Sequence, residues 1–120
     1  MKRFLAIYVG TEAARARAQW NELDEEQRKA REASGLEAWT RWGVASSAAI
    51  VDQGSPLGKT KRASPEGISD LKNNMTGYVI VQAESHEAAA KLFENHPHFA
   101  IFPGDSVEVM ECLPLPGQVT

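Results

Sequence analysis

The chain has 120 residues, 42% of them hydrophobic and 24% charged, which fits one soluble globular domain over residues 1–120 rather than two. A net charge of −3 gives no electrostatic reason to bind nucleic acid, and the single cysteine, Cys112, excludes an intrachain disulfide or a cysteine-based zinc cluster. The longest strongly apolar run, Phe4 to Val9, falls far short of the ~20 residues that span a bilayer, so no membrane partner is implied.

Met1-Lys2-Arg3 ahead of that run has the look of a signal peptide's basic start. However, the charged Glu12, Arg15 and Arg17 follow at once, and no small-residue cleavage site intervenes. A buried first strand and a cytoplasmic location are therefore expected, and the unpaired cysteine agrees with both. Phe4 to Val9 is rich in β-formers, apolar on both faces and closed by Gly10. Residues 11–21, rich in alanine and arginine, predict a helical turn or two.

A longer helix starts at Asp24, whose carboxylate can accept from a free backbone N–H while Gln27 reaches back in a capping box. Leu36, Trp39 and Gly43, with Trp42 beside them, form its apolar stripe, and Gly35 interrupts it at a cost of ~1 kcal/mol, leaving room for a kink or break. Ala48 to Val51 predicts the second strand, ended by Gly54 and Pro56. Residues 54–77 are rich in Gly, Ser, Pro and Lys without a period, which suggests a long hairpin excursion holding a short strand near Gly67 to Leu71. Tyr78 to Val81 is the next strand, again apolar on both faces. Ser85 caps a helix from Glu87 to Asn95 that turns Ala89, Leu92 and Phe93 inward and stops at Pro97. Val107 to Met110 is a last strand with one polar side, and the tail from Leu113 is expected to be loosely held.

This order is the split β-α-β-β-α-β arrangement: an α+β, ferredoxin-like domain with a four-stranded antiparallel sheet and two helices on one face. Two helices cover one sheet face, yet both apolar strands show hydrophobic side chains on the other. A homodimer that buries this second face is therefore expected.

Gly54-Ser55-Pro56-Leu57-Gly58-Lys59-Thr60 imitates a phosphate-binding loop but has three residues between its glycines instead of four, and Pro65 falls where the helix would begin. Lys59, Lys61 and Arg62 form a basic cluster, read either as a solvated hairpin tip or as a loop for an anionic small molecule. His96-Pro97-His98 is the most chemically suggestive feature, with a helix-ending, solvent-facing pair of no function as the plain alternative. A metal would need a third ligand from His86, Cys112 or a carboxylate, so no metal or other cofactor is expected.

A cleft is expected where the second helix ends, near His96 and opposite Gly54-Ser55-Pro56 and the loop to Arg62. His96 is the candidate catalytic proton donor or acceptor, because an imidazole titrates near neutrality, and His98 can orient it or touch ligand. Tyr8 and Trp39 are candidate apolar walls, and Ser55 and Lys59 candidate partners for an anionic group. Two functions stay open: a small-molecule enzyme using acid–base chemistry in a cleft between sheet and helices, or a non-catalytic metabolite-binding or regulatory module.

The order of short motifs resembles the YCII-related family, which includes the DGPF-type proteins, over nearly the whole chain. The matching stretches are Lys2 to Tyr8, Trp42-Gly43 leading into Gly54 to Leu57, Thr76 to Val81, Ser85 to Ala89, Pro97, and Gly104 to Val109. The resemblance implies a ferredoxin-like fold paired into a dimeric α/β barrel, within a superfamily of small-molecule isomerases, monooxygenases and dehalogenases. It also implies a histidine on the first long helix and an aspartate before a proline. Here the first position falls near Ala33 or Ser34 and the second is His96, while Ser64-Pro65-Glu66-Gly67 stands where the DGPF signature would be.

Overall fold

The computed structural model describes residues 1–117. Residues 118–120, the end of the tail read as loosely held, lie outside them, and residues 113–117 are exposed without regular structure.

β1 (Lys2–Val9) is the centre of the molecule, flanked by β5 (Met75–Ala83) and β6 (Ser106–Glu111), with β2 (Ile50–Pro56) on the outer side of β5. All three pairings are antiparallel, and the order β2-β5-β1-β6 is the ferredoxin-like one. Its register puts Phe4, Ala6 and Tyr8 opposite Val81, Val79 and Gly77, all buried. The alternate residues Leu5, Ile7 and Val9, with Tyr78 and Ile80, lie on the opposite face and are half-buried. Period-two alternation therefore divides each apolar strand into a covered and an open side.

The covered side packs under α2 (Glu25–Ala45), α3 (His86–Lys91) and α4 (Pro97–Ala100), with Ala89 and Phe93 buried in the core and Trp39, Trp42 and Leu92 packed against it. α2 begins with the capping box read from the sequence: Asp24 accepts from the Gln27 N–H at 2.7 Å and Gln27 accepts from the Asp24 N–H at 3.0 Å. It then runs unbroken through Gly35. That glycine serves packing, because a Cβ there would lie 2.4 Å from the Phe102 ring. The apolar stripe is rotated by one residue from the expected one: Gly35, Trp39 and Trp42 face inward, and Leu36 is 63% exposed.

Other boundaries differ for local reasons. Ala48 and Ala49 belong to a turn in which the Ala49 and Ile50 amides wind back onto the Ser46 carbonyl, so β2 starts two residues late. Residues 11–22 form α1 (Glu12–Arg17) and a 3-10 turn (Trp20–Glu22), in line with the helical turn or two expected there. Pro97 does not merely stop a helix; it opens α4 at a first-turn position where its missing N–H costs nothing. The excursion holds two strands, β3 (Thr60–Ser64) and β4 (Gly67–Leu71), which pair only with each other as a separate two-stranded sheet.

The dimeric α/β barrel implied by the resemblance is not what the chain forms. The sheet is open, with β2 and β6 as edges that do not meet. Four strands are about half the number that curls into a small closed barrel.

Candidate functional site

Four elements bring rings to one place on the covered side of the sheet. β1 supplies Tyr8, α2 supplies Trp39 and Trp42, the turn after α3 supplies Phe93, and the entry to α4 supplies His96 and His98. The His96 ring is at the centre. Its centroid lies 4.5 Å from Trp39, 4.6 Å from Trp42, 5.2 Å from Tyr8 and 5.8 Å from Phe93. Both tryptophans meet it nearly edge-on, the arrangement that π quadrupoles favour. His96 is 1% exposed. Trp42 is fixed in turn by its indole N–H, which donates to the Leu92 carbonyl at 2.7 Å.

Both imidazole nitrogens of His96 are engaged. Nδ1 accepts the His98 backbone N–H at 3.0 Å, so the neutral ring carries its proton on Nε2. Nε2 then donates toward the Tyr8 hydroxyl at 3.4 Å. The His98 ring faces the other way, its Nε2 donating to the Val9 carbonyl at 2.8 Å. Gly104 makes room for it, since a Cβ there would lie 2.4 Å from ring atoms of His98.

Electrostatics follow from this enclosure. Burial first, and then the neighbouring His98, push His96 down to about 4, so the near-neutral titration expected of a free imidazole is displaced to acid. Burial also lowers His98, opposed by the carbonyls of Val9 and Ser106 and by the Asp105 carboxylate. The Tyr8 hydroxyl is raised by burial. Asp105 is held below the usual carboxylate range by a hydrogen bond from Ser106, helped by Thr11 at 3.3 Å and Arg17 at 3.4 Å.

Among the residues singled out from the sequence, Tyr8, Trp39, His96 and His98 are therefore brought together. Ser55 and Lys59 are not. Ser55 pairs with Tyr78 and so shares the open face, across the sheet from His96, and Lys59 is exposed on the link to the β3–β4 hairpin. Trp42, for which the sequence leaves core packing or a cavity wall open, and Phe93, read as an inward packing residue, complete the cluster. Asp105 lies in a stretch that matches the family's motif order, but nothing in the sequence marks it as a site residue.

Beside the cluster, and sharing Phe93 with it, lies a cleft of about 290 Å³ between α3, α4 and β6. Ala90, Phe93, Phe99 and Val107 give it apolar walls, and Glu94, Asp105 and Ser106 a polar rim. A second hollow of about 360 Å³ lies along the start of α2, against Leu23, Gln27, Ala30, Arg31 and Ser34. Neither is lined by His96. Among the described residues, no three histidine, cysteine or carboxylate side chains gather where they would hold a metal ion, and no helix is long and apolar enough to cross a membrane.

No family model matches the chain, and no curated protein sequence matches it. Among solved structures it is similar to 5-chloro-2-hydroxyhydroquinone dehydrochlorinase from Burkholderia phenoliruptrix AC1100, in complex with 2,5-dihydroxybenzoquinone. That likeness has 15% identity over 91% of this chain and 90% of the other, with a TM-score of 0.48. At that distance no residue role passes from one chain to the other.

Proposed function

We propose that the protein is a small-metabolite-binding module, related to the YCII-like proteins, whose ligand sits in the cleft between α3, α4 and β6 without acid–base catalysis by His96. The observation that carries this reading is the state of the His96 ring: sealed by four other rings, with Nδ1 committed to a backbone amide. A general base must reach its proton directly or through one water, and this ring reaches neither cleft. The cleft's volume falls at the lower end of the range for ligand pockets, which favours a metabolite over a dinucleotide.

Its rim favours a donor. Asp105 and Glu94 present carboxylates above aromatic walls, so a small amine with an apolar body fits better than an acid. Benzylamine is a suitable probe. At millimolar concentration it should raise the melting temperature by mass action, benzoate should not, and Asp105→Asn should abolish the effect. Equal stabilisation by benzoate, or none by either compound, removes the reading. Chemical conversion of a bound amine on incubation would restore the enzyme-like alternative.

The same reading includes a homodimer and a cytoplasmic setting. Leu5, Ile7, Val9, Tyr78 and Ile80 lie on an open sheet face that no helix among the described residues covers. Soluble monomers rarely leave such a patch wet, and a two-fold axis lets one face cover its own copy.

A further inference from the structure

α4 has four residues and begins with a proline, so its first backbone donor is the His98 N–H. The amides of Phe99 and Ala100 reach the His96 carbonyl, at 3.1 and 2.9 Å. The His98 amide, in a buried residue, is met by the His96 Nδ1 lone pair. A single imidazole thus performs two tasks: one nitrogen caps the helix, and the ring's faces and edges fill the space between Tyr8, Trp39, Trp42 and Phe93.

Only the neutral ring can do both. A proton added to His96 goes to Nδ1, the ring's one basic lone pair, and turns an acceptor into a donor that faces another donor. Two buried N–H groups pointed at each other cannot share a bond, and each then loses its partner inside a site closed to water. We propose that His96 is an acid-released latch on α4: while neutral it holds the helix's first amide and closes the ring cluster, and once protonated it lets go of both. The segment from His96 to Asp105 then swings from the sheet, and the space left by the imidazole becomes a cavity walled by Tyr8, Trp39 and Trp42.

The groups facing His96 support acid release at this ring. β1 presents Tyr8, which burial keeps protonated, and α4 presents His98; α2 and the turn after α3 present only the uncharged Trp39, Trp42 and Phe93. Among the described residues no carboxylate is paired with the ring to compensate a positive charge. Asp105 lies beyond His98, where it favours a charge on His98 instead. A proton on His98 leaves its bond to Val9 in place, because that bond already uses an N–H. A proton on His98 therefore breaks no hydrogen bond, and His96 is the release point.

The sign follows from linkage. The open segment has a free histidine with the ordinary value of 6.5, and the closed one holds His96 near 4. Opening is thus promoted as pH falls through that window and stays suppressed above it. Native-state amide exchange tests this directly. After correction for intrinsic exchange, the opening constant at the His98 amide should rise at least about tenfold per pH unit between about pH 6 and 4. The amides of β1 and β5 should keep their protection over the same range. His96→Asn keeps a cap that does not titrate there, so its opening constant should rise less steeply than the wild type's, with His98 the histidine left in the segment to take up a proton. A wild-type His98 amide that stays protected to pH 4, or a His96→Asn protein with the wild-type slope, overturns the proposal. Should the variant fail to fold, imidazole nitrogen shifts in the wild type decide the matter. Nδ1 of His96 must gain its proton in step with loss of His98 protection, and protonation with the amide still protected refutes the latch.

Discussion

At the scale of single residues, the glycines of α2 set intrinsic propensity against packing. Both Gly35 and Gly43 lie inside a 21-residue helix, where glycine costs roughly 1 kcal/mol relative to alanine. A Cβ at Gly43 meets nothing within 4 Å, so Gly43→Ala should stabilise the protein by about 0.5–1 kcal/mol. At Gly35 the same methyl would lie 2.4 Å from Phe102, a half-buried ring that also packs on Trp20 and Trp39. Crowding of that kind costs about 1–3 kcal/mol and outweighs the gain in propensity. Gly35→Ala should therefore destabilise, and urea titration of the two variants side by side checks the opposite signs. The cost of Gly35 was legible in the sequence; its reason was not, since nothing local to residue 35 announces a phenylalanine at residue 102.

At the scale of elements, the β3–β4 hairpin is the most separable piece. It forms its own sheet, and its ion pair, Lys61 to Asp70 at 2.6 Å, joins one of its strands to the other. Replacing residues 60–71 with a short Gly-Ser link should leave the four-stranded sheet folded, with a change in stability below about 1 kcal/mol by urea titration. Loss of the cooperative transition would show that the body needs the hairpin. Elements with strong local chemistry were readable in advance: the Asp24–Gln27 capping box, the Ser85 cap, and the two doubly apolar strands. Elements defined by a distant partner were not. β3 has the polar sequence Thr-Lys-Arg-Ala-Ser and is a strand only because Gly67–Leu71 folds back on it. The ring cluster shows the same division. Tyr8, Trp39, His96 and His98 could be named, but the bond that fixes the His96 tautomer comes from a backbone amide, which no side-chain pattern displays.

At the scale of the whole molecule, the open sheet face is the dominant feature. The proposed homodimer should scatter light as twice the 13.1 kDa chain at micromolar concentration. Ile7 lies on that face, half-buried and paired with Glu108 and Tyr78, so Ile7→Glu should return the particle to a single chain while leaving its circular dichroism unchanged. A 13.1 kDa wild-type particle removes the dimer, and a variant still at twice that mass removes this face as its interface. The two edges of the sheet limit how association can proceed. β6 carries Glu108 and Glu111, and β2 carries Asp52, two shifts of register and a terminal Pro56. Charges, irregular register and proline all discourage a foreign strand from adding to an edge. Growth by strand addition, the route to fibrils, is blocked at both ends of the sheet. In the proposed dimer self-association is left to the sheet's face, and since one copy would cover that face, assembly would end after a single step.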